Sequence, residues 1–268
     1  MCGRYAASRN PDDLVEEFEV VVRPEEVLEP DYNVAPTKKV YAVMDRRPRG
    51  TSDASVDAGR PDAGDGVRRE LAVVSWGLVP SWAKDPSIGS RMINARMETV
   101  AEKPAFRRAF AKRRCLLPAD GYYEWYTPEG GPKGKNGKPV KQPFYIHPAD
   151  GGVLAMAGLY ELWRDPARGD DDPLRWLMTA TVLTTTAEDA VGMIHDRMPL
   201  FVEPERWAEW LDPDLDGSTA DLADLLVPAS PGRLDAYPVS TAVNAVRNNG
   251  PQLIEPIAAE EPDAGALF

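Results

Sequence analysis

Cysteine and histidine are nearly missing from this 268-residue chain, which has only Cys2, Cys115, His147 and His195. So few thiols exclude a disulfide framework and fit a reducing cytoplasm. The four residues lie far apart, so the usual zinc spacings are absent. No apolar run reaches the roughly 18 residues of a membrane span. No apolar stretch follows Arg4, so a secretory signal is not expected. Internal repeats are also lacking. Positive charge is short: 31 Lys and Arg stand against 43 Asp and Glu, a net of −12. That balance argues against a general nucleic-acid binder, whose affinity is mainly electrostatic.

The deficit is uneven. From Leu71 to His147 there are 13 Lys and Arg against 6 Asp and Glu, a net of +7. A local phosphate-binding face is therefore open, beside the plainer reading of a solvated basic surface. Apolar residues make up 43% of the chain, enough for a real core in one large domain or two small ones.

Asn10-Pro11-Asp12-Asp13 opens a helix: a capping Asn, a Pro at the first position and acids in the first turn. Leu14, Val15 and Phe18 give it an apolar face. Residues 32–37 read as extended chain stopped at Pro36. Strands are expected at 40–44, 71–74, 144–147, 153–159 and 176–184, and helices at 104–114 and 187–194. Surface helices are expected at 205–211 and 219–226. Residues 46–69, rich in Asp, Gly, Ala, Ser and Pro, read as a flexible insertion, and 127–142 as a second one. Residues 258–268 read as a disordered tail. Short strands separated by loops predict one α+β domain over 1–257, built around a mostly antiparallel curved sheet or barrel with short peripheral helices.

The chain begins Met1-Cys2-Gly3-Arg4-Tyr5. Removal of Met1 would leave Cys2 with an α-amine and a thiol on adjacent carbons. Reference pKa values of about 8 and about 8.5 leave both partly unprotonated near neutrality. Such an aminothiol forms an imine with an aldehyde and then closes to a thiazolidine. Read alone, Cys2 is equally an arbitrary second residue in a frayed terminus. Other segments stand out: Trp76-Gly-Leu-Val-Pro80-Ser-Trp82, Asn94-Ala-Arg96-Met-Glu, Gly121-Tyr-Tyr-Glu124-Trp and His195-Asp-Arg197-Met-Pro. Each has a structural reading too: tryptophans as core, Arg96 in a surface ion pair, His195 as a structural side chain. Glu124 sits between aromatics, either facing solvent or held in a pocket as a general acid.

Together with Tyr32-Asn-Val-Ala-Pro-Thr and Leu117-Pro-Ala-Asp-Gly, these ordered motifs make the chain resemble the SOS-response-associated peptidase family, whose members include proteins that crosslink to abasic sites in DNA. The resemblance spans residues 1 to about 200, with Pro238-Val-Ser and Val243-Asn beyond. It implies that Met1 is removed by the protein itself, an autopeptidase step, and that no metal or organic cofactor is needed, because the terminal residue is its own reagent. Cys2 would then capture the ring-opened aldehyde of an abasic site in single-stranded DNA as a thiazolidine, with a weak lyase activity through the shared imine. On this resemblance, Asn94 positions Cys2 or the sugar, and Glu124 and His195 move protons. Arg4, Arg96 and Arg197 contact DNA phosphates. Trp76, Pro80 and Trp82 form an apolar wedge beside the lesion. Replication-fork proteins are further expected partners of a monomeric, cytoplasmic protein that is nucleoid-associated when on DNA. Two rivals share the sequence features: an N-terminal-nucleophile amide hydrolase using the Cys2 thiol, and a non-catalytic single-stranded DNA-binding module.

Overall fold

A computed structural model of the chain describes residues 2–47, 66–134, 137–187, 189–215, 222, 224–228 and 231–257. Asn10 caps α1 (Pro11–Glu17) as its sequence predicts, with its side-chain oxygen accepting the Asp12 N–H at 2.9 Å. The helix buries Leu14 and leads into the fully buried Phe18.

Two sheets follow from short strands. The first runs in the order β12 (Leu234–Pro238), β8 (Gln142–Pro148), β7 (Gly121–Tyr126), β1 (Tyr5–Ala7) and β2 (Asp31–Val34), antiparallel throughout. The second holds β3 (Lys39–Arg46), β4 (Arg68–Trp76), β6 (Arg114–Ala119), β9 (Leu154–Arg164) and β10 (Trp176–Thr186). It closes on itself, because β10 pairs with β9 on one edge and with β4 on the other. Closure removes the exposed strand edges an open sheet would present. The short β5 (Asn94–Arg96) continues the β4 edge of β10, and β11 (Arg197–Pro199) continues the β9 edge. The expected α+β class and mostly antiparallel barrel are therefore observed. The parallel exceptions among these ladders are β10 with β4 and β10 with β5.

Side-chain alternation divides the core. Val40, Ala42 and Met44 of β3 join Trp76, Cys115, Leu117, Met156 and Val182 in a cluster that also holds Cys2, Tyr5 and Tyr122. The intervening Tyr41 and Val43 pack in a second cluster with α1, with α2 (Arg107–Lys112) and with α4 (Trp207–Leu211).

Several expected boundaries shift for physical reasons. β4 starts at Arg68, inside the expected insertion, because Arg69 forks onto Asp45 across the ladder at 2.9 and 3.1 Å. Residues 48–65 of that insertion lie outside the described residues. The expected 104–114 helix is shorter, since Arg114 instead opens β6. Its buried guanidinium donates to the carbonyls of Phe110, Ala111, Trp210, Asp212 and Leu215. α4 is amphipathic, as a surface helix is: Ala208 and Glu209 are exposed, while Trp207, Trp210 and Leu211 are buried. The expected 187–194 helix contracts to α3 (Asp189–Gly192). Residues 219–221 and 223 of the last expected helix, and 258–268 of the tail, lie outside the described residues. So do 135–136 of the second insertion.

Candidate active site

The β1–β7 ladder decides which way the start of the chain faces. Tyr5 pairs with Tyr122, and the Tyr123 N–H donates to the Arg4 carbonyl at 2.9 Å. Tyr5, Tyr122 and Glu124 thus share one face of the sheet, and Tyr123 and Trp125 take the other. Cys2 enters the Tyr5–Tyr122 side and is fully buried, its thiol 3.9 Å from the Arg4 carbonyl. Asn94 reaches the same residue from the second sheet. β5 is held against β10 at Val182, and Asn94 Nδ2 donates to the Cys2 carbonyl at 2.7 Å. That donation fixes the amide orientation, because a carbonyl oxygen facing Cys2 O would repel it. Asn94 Oδ1 is buried with no hydrogen-bond partner among the described residues.

Glu124 is only 3% exposed. Burial disfavours its anion and pushes its pKa up to about 7. Burial likewise pushes the Cys2 thiol far above its usual range, and the Glu124 charge adds to that rise. The resting thiol is therefore neutral, and it has beside it a carboxyl poised to gain or lose a proton near neutrality.

His195 follows α3, its N–H donating to the Val191 carbonyl at 3.1 Å. Its Nδ1 accepts the Arg197 N–H at 3.0 Å, which puts the proton of the neutral ring on Nε2. Asp196 lies 2.9 Å from the same nitrogen but is largely exposed, so its pull is weak. Burial lowers the His195 pKa, leaving a neutral imidazole at pH 7. Lys141 acts electrostatically on both Glu124 and His195. Sequence reading placed Lys141 in an insertion, and no local signal marks it as a neighbour of either group. Among the described residues no group of three His, Cys, Asp or Glu side chains is arranged to hold a metal.

The model of the SOS response associated peptidase (SRAP) family matches residues 1–246. The chain belongs to the SRAP family. It is 37% identical to the abasic site processing protein YoqW of Bacillus subtilis over 95% of this chain and 99% of that one. Abasic site processing protein YedK of Escherichia coli is 32% identical over 96% and 100%. Abasic site processing protein HMCES of Xenopus tropicalis is 30% identical over 100% and 82%. A crystal structure of a Bacteroides thetaiotaomicron protein shares the fold, with a TM-score of 0.72 over 96% of this chain and 100% of that one at 24% identity.

The side chains expected on DNA divide sharply in this SRAP structure. Trp82 is 60% exposed and Arg96 is exposed. Trp76 is not available for stacking. It is fully buried, packs edge-on against Tyr5 with ring centroids 5.0 Å apart, and donates Nε1 to the Ile93 carbonyl. Pro80 is also buried. Arg197 donates from its two terminal nitrogens to Glu98 at 2.5 and 3.0 Å and to the Thr184 carbonyl at 2.6 Å, while its Nε is buried with no hydrogen-bond partner among the described residues. Arg4 is held by Asn33 Oδ1 at 2.6 Å and the Val243 carbonyl at 2.9 Å, and stacks over Trp125. The organising role of Asn33, which is fully buried and donates to the Val243, Ala245 and Asn248 carbonyls, was hidden in the Tyr32–Thr37 motif.

Proposed function

We propose that this protein processes abasic sites in single-stranded DNA by joining Cys2 to them. Hydrolysis of the Met1–Cys2 peptide bond frees the Cys2 amine. The amine condenses with the C1′ aldehyde of the opened deoxyribose and releases water, giving an imine. The thiol sulfur then adds to C1′, its proton leaves to Glu124, and the imine nitrogen gains a proton. The product is a thiazolidine joining chain and DNA.

The chemistry needs a neutral thiol to lose its proton at the moment of attack, because burial holds the resting thiol protonated. A carboxyl with a pKa of about 7 suits that task in both directions. Asn94 anchors the Cys2 carbonyl with its amide nitrogen and offers its buried Oδ1 to a donor on the sugar or the iminium. His195, neutral with Nε2–H, donates to a sugar oxygen. The imine can also β-eliminate and cut the strand, so a weak lyase activity shares the pathway, and ring closure shuts it off. Trp82 and Arg96 are the exposed candidates for a base and a phosphate.

The observation that carries this reading is the convergence on Cys2 of Asn94 at 2.7 Å and a buried carboxyl with raised pKa. The names of the relatives, abasic site processing proteins, support it. The test mixes the protein with single-stranded DNA carrying one abasic site, beside undamaged and duplex DNA. Denaturing electrophoresis and intact mass should show a covalent adduct on protein lacking Met1. Cys2→Ala should abolish it. Absence of adduct from correctly processed protein overturns the reading, and glutamine hydrolysis by the same Cys2 becomes the next assay.

A further inference from the structure

Phe201, whose ring centroid lies 6.2 Å from that of Tyr122, lines a cavity of about 150 Å³ that the proposed chemistry does not use. Val191, Met198, Phe201, Leu154 and Trp207 line it with apolar surface. All five are buried and form its apolar wall, while Glu17, Asp150 and Pro231 at its mouth are exposed. A cavity of that size accepts a single benzene-like ring. Glu203 stands in the wall. Its Oε2 pairs with Arg233, while Oε1 is buried with no partner among the described residues. A buried carboxylate oxygen without a donor is a costly arrangement in a folded protein. Glu17 and Asp150 also line the cavity, so the lining carries three carboxylates and one guanidinium.

We infer that this cavity is a binding site for a small aromatic cation, an ammonium or amidinium group carried on one ring. The ring fills the space between Phe201, Trp207 and Leu154, and the cationic N–H donor meets Glu203 Oε1. Charge complementarity selects the cation over a neutral or anionic ring of the same shape. The back wall is the segment that carries His195: Val191 accepts the His195 N–H, and Met198 lies three residues beyond. An occupant therefore touches the support of a proposed proton donor without entering the site itself.

The probe is benzamidine, compared with benzyl alcohol and benzoate, titrated into the full chain. The methyl resonance of Met198 and a calorimetric Kd give two readouts. Benzamidine should shift the Met198 methyl and bind at least tenfold tighter than either control. Glu203→Gln keeps the shape, removes the charge, and should erase that tenfold preference. Ala155→Leu, which fills the space, should abolish binding, with circular dichroism confirming the fold. The proposal is overturned if benzamidine leaves Met198 unmoved up to about 10 mM, the weak end of specific binding. It is equally overturned if benzoate binds as well, or if Glu203→Gln leaves the preference intact. None of these outcomes depends on DNA crosslinking.

Discussion

Asn94 Nδ2 and the Cys2 carbonyl oxygen meet at 2.7 Å across 92 positions of sequence, a single hydrogen bond tying the start of the chain to the closed sheet. The donor comes from β5, which is set by its ladder to β10 and not by the terminus itself. Asn94→Ala leaves that ladder intact and frees Cys2 to sample other positions. A hydrogen bond of this kind is worth about 1 kcal/mol of stability, so the melting temperature should fall by only a few degrees. The crosslinking rate should fall further, by about tenfold to a hundredfold, because placement of the reacting group is lost. Single-turnover adduct formation beside thermal melts separates the two. Equal small losses in both would mean that Asn94 is merely structural.

Glu124 makes stability depend on pH in an unusual direction. Its folded pKa of about 7 lies above the ordinary carboxyl value, so the folded state holds the proton more tightly than the unfolded chain. The group costs nothing below about pH 4, and stability drains away as pH rises from there to about 7. The full cost above that window is roughly 3 kcal/mol. Glu124→Gln should therefore melt close to the native protein at pH 4.5 and well above it at pH 8. The same variant should lose most crosslinking at every pH. A pH-independent stability difference would contradict a buried carboxyl that titrates near 7.

The neutral, buried state of both cysteines predicts poor alkylation. Cys2 and Cys115 have no exposed surface, and burial raises both thiols far above their usual range. Iodoacetamide at pH 7.5 should modify the folded chain at least tenfold more slowly than glutathione, since thiolate is the reactive form. Denaturation should equalise both sites. Peptide mapping of the alkylated chain gives the answer, and rapid selective labelling of Cys2 would mean that a thiolate is already present.

Arg96 on β5 and Arg197 on β11 lie along opposite edges of β10 and should behave differently on DNA. Arg96 is exposed, whereas Arg197 is committed to Glu98 and Thr184. Arg96→Ala should weaken single-stranded DNA binding at low salt. It should also flatten the slope of log K against log salt by about 0.7, the value for one phosphate contact. Arg197→Ala should leave that slope unchanged and cost about 1–3 kcal/mol of stability, by orphaning Glu98 and the Thr184 carbonyl. Fluorescence anisotropy across a salt series and urea melts distinguish the two.

These contrasts mark how far the sequence could be read. Local signals sufficed where the chemistry is local. The Asn10 cap, the β-branched and aromatic strands and the order of the motifs all lie in short windows, and the α+β barrel followed from them. Glu124 could be seen between aromatics, but its burial depends on Cys2 and Tyr5, brought against β7 from the start of the chain by the β1–β7 ladder. Inward and outward are also long-range properties. Trp76 and Trp82 look alike in sequence, yet Ile93 and Tyr5 claim the first and leave the second in solvent. Arg197 found Glu98, 99 positions away, a partner that no spacing rule supplies.

What separates the two tryptophans is the backbone between them. Gly77 has φ +130°, a conformation L side chains rarely adopt, and an added Cβ would lie 2.5 Å from the Gly89 carbonyl oxygen. Gly89 faces it in return: its added Cβ would lie 2.5 Å from the Gly77 carbonyl oxygen. The two strands of chain touch backbone to backbone, and that contact sends the chain out of β4 toward Trp82. Gly77→Ala combines strain with a clash against backbone, so it should cost about 3 kcal/mol or more; Gly89→Ala meets the clash alone and should cost less. Because both changes break one contact, the double variant should be less destabilised than the sum of the singles. Urea melts of the three variants test this directly. Additive losses would mean that the two glycines act independently and that something else holds the Trp76–Trp82 turn.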